Sequence, residues 1–104
     1  MKNPFKEIQK ESENLNKWIL NKLGNRPYNP YILLTFLLAE CGEVADKVRA
    51  LEGSRVNSSD VTKDDLAKEI VDAVYNLMIL ANYYSIDLDK YWDKRLGGIK
   101  DKFR

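Results

Sequence analysis

Apolar residues recur at helical spacing along nearly the whole chain. Phe5, Ile8, Leu15, Trp18, Ile19 and Leu23 mark one stripe that stops at Gly24. Pro4 suits the first turn of that helix, with Asn3 in the capping position. Asn25-Arg26-Pro27-Tyr28-Asn29-Pro30 is a turn dense in helix breakers. A second helix is predicted from about Pro30 to Glu52, apolar over much of its circumference in the first half and ended by Gly53. Gly53–Val61 is polar and reads as a surface loop. Thr62 or Asp60 caps a third helix that runs to about Tyr84; Ser85-Ile86-Asp87 breaks it, and Asp87 caps the next. That short fourth helix is expected to end near Leu96, where Gly97-Gly98 introduces a lysine-rich tail. Period-two alternation, internal repeats and low-complexity tracts are all missing from the sequence. The expected class is all-α: a single domain over residues 1–104, of four- to five-helix bundle type, with its site between the two central helices. The apolar residues on several sides of Tyr31–Leu38 predict a dimer interface that completes it.

Four acids depart from the amphipathic rule. Glu40 and Glu43 form a Glu-x-x-Glu pair in the second helix, and Glu69 and Asp72 a Glu-x-x-Asp pair in the third. Spacing of i, i+3 places both members of a pair on one helix face. With Glu40 at 0°, Leu33 and Leu51 fall near about 20°, Val44 near about 40° and Phe36 near about −40°. With Glu69 at 0°, Leu80 falls near about 20° and Ala73 near about 40°, with Asp72 and Asn76 at about −60° and −20°. Glu40 therefore points into the apolar stripe, with Glu43 on its flank. Four carboxylates aimed at a helix–helix interface repel one another and lose hydration, and a divalent cation resolves both problems. The plainer alternative is a set of surface i, i+4 ion pairs, for which Lys47 lies at about −20° on the Glu40 stripe. Two pairs on two core-facing stripes favour the metal site. Oxygen ligands without a Cys/His cluster select Mg²⁺, with Mn²⁺ able to substitute, and such a site suits phosphate-ester or phosphoanhydride chemistry.

Composition narrows the chemistry further. The chain has 104 residues, a formal charge of +1, one cysteine and no histidine. Interspersed charges give no basic footprint for DNA or RNA. The lack of histidine excludes a Ser-His-Asp triad, a Cys-His dyad and histidine-based zinc sites. Cys41 alone permits no intramolecular disulfide, fits a reducing cytosol and reads as a small core residue. The N-terminus lacks a signal-peptide core and Tyr31–Ala39 is too short to span a bilayer, so a cytoplasmic protein without membrane contact is expected. Most aromatics are assigned to the core, with Trp18, Tyr28 and Tyr31 as candidates to stack on a base. Asn76 either binds sugar hydroxyls or satisfies a neighbouring group, and Asp65 reads as an acid favoured by the helix N-terminus. Lys94 and Arg95 are candidate phosphate contacts, as is Lys47, with Arg49 and Arg55 behind them.

Glu40-Cys41-Gly42-Glu43, a spacer, then Glu69-Ile70-Val71-Asp72 resembles the metal signature of the MazG-like all-α nucleoside triphosphate pyrophosphohydrolases, relatives of the dimeric dUTPases. Leu37-Leu38-Ala39, Val44-Ala45-Asp46, Ala73-Val74 and Ile86-Asp87-Leu88 extend the likeness over about Tyr31 to Lys102. The resemblance implies a helical bundle assembled as a dimer or tetramer. It also implies Mg²⁺-dependent hydrolysis of a nucleoside triphosphate to the monophosphate and pyrophosphate, with Glu40, Glu43, Glu69 and Asp72 holding the metal and Glu40 or Glu43 as candidate general base. Ala39 stands where many members carry a further acid, and Ile99 where an asparagine is expected. Both departures bear on substrate grip more than on metal ligation. Two readings of other classes remain open: a helical interaction module whose acids pair with Lys47 or Lys68, and a nucleotide sensor without turnover.

Overall fold

The computed structural model describes residues 3–24, 29–53 and 60–104, and all regular structure among them is helical. The helices are α1 (Pro4–Lys22), α2 (Pro30–Leu51), α3 (Lys63–Tyr83) and α4 (Leu88–Asp101). Most of the turn expected at 25–30 and of the loop expected at 53–61 lies outside the described residues, as do Tyr28 and Arg55.

Each helix start has a local cause. Pro4 opens α1, where its missing N–H costs nothing. Asn3 makes no side-chain capping bond, contrary to expectation; the Phe5 N–H donates instead to Asp89 Oδ1 of α4 at 2.8 Å. A carboxylate at the positive end of the helix dipole serves better than a neutral amide. Asn29 caps α2, its Oδ1 accepting from the Ile32 N–H at 2.9 Å just ahead of Pro30. At α3 the capping is reciprocal: the Thr62 N–H donates to Asp65 Oδ2 at 2.8 Å, and the Asp65 N–H donates to Thr62 Oγ1 at 3.3 Å. That backbone bond is the main reason the Asp65 carboxyl titrates below its ordinary value. Asp87 caps α4 by accepting from the Asp89 N–H at 3.1 Å.

The end of α3 turns on Ser85, whose φ of 55° lets the Ile86 N–H reach back to the Ala81 carbonyl at 2.9 Å. The expected end of α4 is wrong: the helix runs through Gly97 and Gly98 to Asp101. Two glycines cost about 1 kcal/mol each in a helix interior. The apolar series Leu88, Trp92, Leu96, Ile99 and Phe103 keeps helical spacing across them, so the pattern outweighs the propensity.

The helices distribute over two compact units. In one, α1 packs against α4 and against the residues from Met78 to the end of α3. Gln9 is its hub: Nε2 donates to Asn82 Oδ1 and to the Ile86 carbonyl, its main-chain carbonyl accepts from Asn82 Nδ2, and Oε1 accepts from the Leu88 N–H. Phe5 meets Trp92 edge-on with ring centroids 5.0 Å apart. The other unit contains α2 and α3 as far as Leu77.

Burial is thin. Leu33, Ala50, Met78, Ile79 and Ala81 are the buried apolar residues among those described. The assignment of most aromatics to the core fails: Trp18, Tyr31, Phe36, Tyr83, Tyr84, Tyr91, Trp92 and Phe103 are exposed, and Phe5 and Tyr75 are half-buried. Cys41 is exposed as well, because one residue along from an inward-facing Glu40 lies about 100° around the helix.

Candidate functional site

Helices α2 and α3 bring three of the four acids together. One carboxylate oxygen each from Glu40, Glu69 and Asp72 lies within 4.8 Å of the others, and all three residues are half-buried. The helical angles explain this: Glu40 enters from the apolar side of α2, and Glu69 and Asp72 sit one turn apart on α3. All three belong to the same compact unit.

Electrostatically the cluster is unfinished. Glu40 Oε2 is cut off from solvent and accepts no hydrogen bond. Desolvation is the main force raising the Glu40 carboxyl above its ordinary value; a proton there can also be shared with Glu69, and the charges of Asp72, Glu69 and Glu43 push the same way. With both groups ionised no proton remains to share, which leaves Oε2 without a donor. Carboxylate oxygens are hard ligands, the type that Mg²⁺ and Mn²⁺ take, and these three residues could hold such an ion.

Glu43 is not part of the cluster. Its side chain is 55 % exposed and its Oε2 lies 3.7 Å from Lys47 Nζ. Lys47 also stands 3.8 Å from Asp46 Oδ2, and Asp46 in turn pairs with Arg49 at 3.7 Å. The i, i+4 pairing weighed as the alternative thus describes Glu43, while Glu40, Glu69 and Asp72 form the carboxylate group.

The substrate candidates are dispersed. Asn76 is half-buried, and its Nδ2 donates to the Asp72 carbonyl one turn back at 2.9 Å, so its amide braces the backbone beneath a cluster residue. Tyr31 is 81 % exposed near the start of α2. Trp18 is exposed on α1 beneath Lys22 Nζ, 5.3 Å from its ring centroid. Lys94 and Arg95 are exposed on α4. The bracing by Asn76 was signalled by its place four residues after Asp72. The Asp89–Phe5 bond joins distant parts of the chain and had no local signal.

No family model and no solved structure matches the chain. One relative does: the uncharacterized protein YvdC of Bacillus subtilis (strain 168) is 34 % identical over 85 residues, which cover 76 % of this chain and 80 % of the relative. The chain belongs to the YvdC family. No helix among the described residues is long and apolar enough to cross a membrane.

Proposed function

We propose that the protein is a Mg²⁺-dependent nucleoside triphosphate pyrophosphohydrolase, cleaving a ribo- or deoxyribonucleoside triphosphate to the monophosphate and pyrophosphate, with non-canonical nucleotides among its substrates. The observation that carries this reading is the convergence of the Glu40, Glu69 and Asp72 carboxylates, together with a Glu40 Oε2 that is solvent-excluded and accepts no hydrogen bond. Such a group is poor at stabilising a fold and well suited to holding a hard cation. The resemblance of Glu40-x-x-Glu43 and Glu69-x-x-Asp72 to the MazG-like signature supplies the reaction class. Bound there, Mg²⁺ would neutralise phosphate oxygens and acidify a coordinated water.

The protein's own part is positional. Glu69 and Asp72, one turn apart on α3, would supply two ligands, and Glu40 a third from α2. Glu40 or Glu43 is the candidate to take the proton from the attacking water. The exposed apolar residues of α2 and α3, with Tyr31, Leu38 and Val71 foremost, favour a homodimer or homotetramer.

Ion-exchange analysis of products tests the reaction. A panel of ribo-, deoxyribo- and modified nucleoside triphosphates would be incubated with the protein in Mg²⁺ or EDTA. Monophosphate plus pyrophosphate in Mg²⁺ alone is expected. Diphosphate plus phosphate would overturn the assigned bond, and no turnover of any substrate would favour the interaction module.

A further inference from the structure

The apolar residues of α4 repeat as a narrow seam. Counting from Trp92 at 0°, Leu96 lies at about 40°, Ile99 at about −20° and Phe103 at about 20°. These positions follow a heptad, with Trp92 and Ile99 at d and Leu96 and Phe103 at a. Lys102 keeps helical backbone angles, which carries the repeat past the end of α4 at Asp101. Gly97 and Gly98 fall at b and c, on the side away from the seam. The hydrogen bonds and ring contact that tie α1 to α4 use Leu88, Asp89 and Trp92, all at the start of the helix. Further along, Leu96 is 44 %, Ile99 41 % and Phe103 85 % exposed.

Charge distinguishes the partners this seam could take. The flanking e and g positions hold Asp93, Arg95, Lys100 and Lys102, three bases to one acid. Among the described residues Arg95, Lys100 and Lys102 make no ion pair. Like charges along most of the flanks oppose the pairing of two such seams. A stripe about 60° wide is also narrower than the roughly 100° face that a helix lays against a broad apolar surface. Both features suit a single helix of opposite charge.

We propose that the second half of α4 docks an acidic amphipathic helix of another protein. Leu96, Ile99 and Phe103 pack into its apolar seam, and Arg95, Lys100 and Lys102 meet its carboxylates. This surface belongs to the compact unit of α1 and α4 and the carboxylate cluster to the other unit, so the proposal does not depend on the metal-site reading.

Isothermal titration calorimetry on the full chain tests it. The probe is a designed peptide of about three heptads, with leucine at a and d and glutamate at e and g. A peptide with lysine at e and g, and vesicles of phosphatidylglycerol and phosphatidylcholine, serve as the alternatives. The glutamate peptide is expected to bind, more weakly as salt rises, and the lysine peptide is not. Reversing two flanking charges, Lys100→Glu with Lys102→Glu, should weaken binding by at least about tenfold, and Ile99→Ser should weaken it as well. Circular dichroism would confirm that each variant is folded. Failure of the glutamate peptide to bind, or equal binding of both peptides, would overturn the proposal without any variant. Vesicle binding in place of peptide binding would assign the seam to a lipid surface. Self-association lost in Ile99→Ser, read by sedimentation, would assign it to a second copy; either result contradicts the proposal.

Discussion

A carboxylate oxygen that reaches neither water nor a donor destabilises the chain that carries it, and Glu40 Oε2 is such an oxygen. The Glu40 carboxyl is raised above 4.5, so between that value and its folded-state value the native protein holds a proton the unfolded chain has lost. Stability contributed by Glu40 therefore falls as pH rises through this interval, and at neutral pH the residue is a net cost. Asp65 has the opposite sign: its lowered carboxyl contributes stability above 3.8 that is lost on acidification. Glu40→Gln should accordingly melt at a higher temperature than the wild type at pH 7 without metal, and the gap should narrow below pH 4.5. Added Mg²⁺ should stabilise the wild type and leave the variant nearly unmoved. Thermal melts across pH, with and without Mg²⁺, check both parts; a variant that melts lower at pH 7 would contradict this view of Glu40. The inward aim of Glu40 was legible in the sequence because helix geometry alone fixes it. The partner of Glu43 was not, since a residue about 60° off the stripe reaches the cluster or Lys47 with equal ease.

At the scale of the element, helix starts were more legible than helix ends. Pro4, Pro30, Thr62 and Asp87 mark starts through chemistry that acts within three residues. The course of α4 depended on a balance instead: glycine propensity against an apolar stripe that continues to Phe103. That balance predicts a gain from Gly97→Ala, since a Cβ there meets nothing within 4 Å. Urea denaturation should show about 1 kcal/mol of added stability. Gly98→Ala should gain less, because its Cβ would stand 3.3 Å from Arg95 Nη1 and the arginine must shift. A loss of stability in Gly97→Ala would mean that α4 does not run through the glycines.

For the whole molecule the exposed apolar surface is the dominant fact. Tyr31 is 81 % exposed, and Leu38 and Val71 are each 64 % exposed. Single exposed apolar residues are ordinary, but many of them on α2 and α3 suit burial against a second copy. Sedimentation equilibrium should give a dimer or tetramer mass, and a monomer would leave those residues without their explanation. The aromatic residues show why this scale was poorly read from sequence: helical periodicity says that Trp18 or Trp92 lies on an apolar stripe, and says nothing of what covers the stripe.

These scales meet in one residue. Glu69 lies on α3 within the carboxylate cluster, and its exchange for glutamine removes a charge while keeping shape and helix propensity. The most direct measurement is therefore nucleoside triphosphate turnover in saturating Mg²⁺ by the wild type and by Glu69→Gln, each confirmed folded by circular dichroism. Monophosphate and pyrophosphate are expected from the wild type, with a loss on the order of 100-fold or more in the folded variant. Turnover that survives Glu69→Gln would contradict the assignment of these carboxylates to a catalytic metal site.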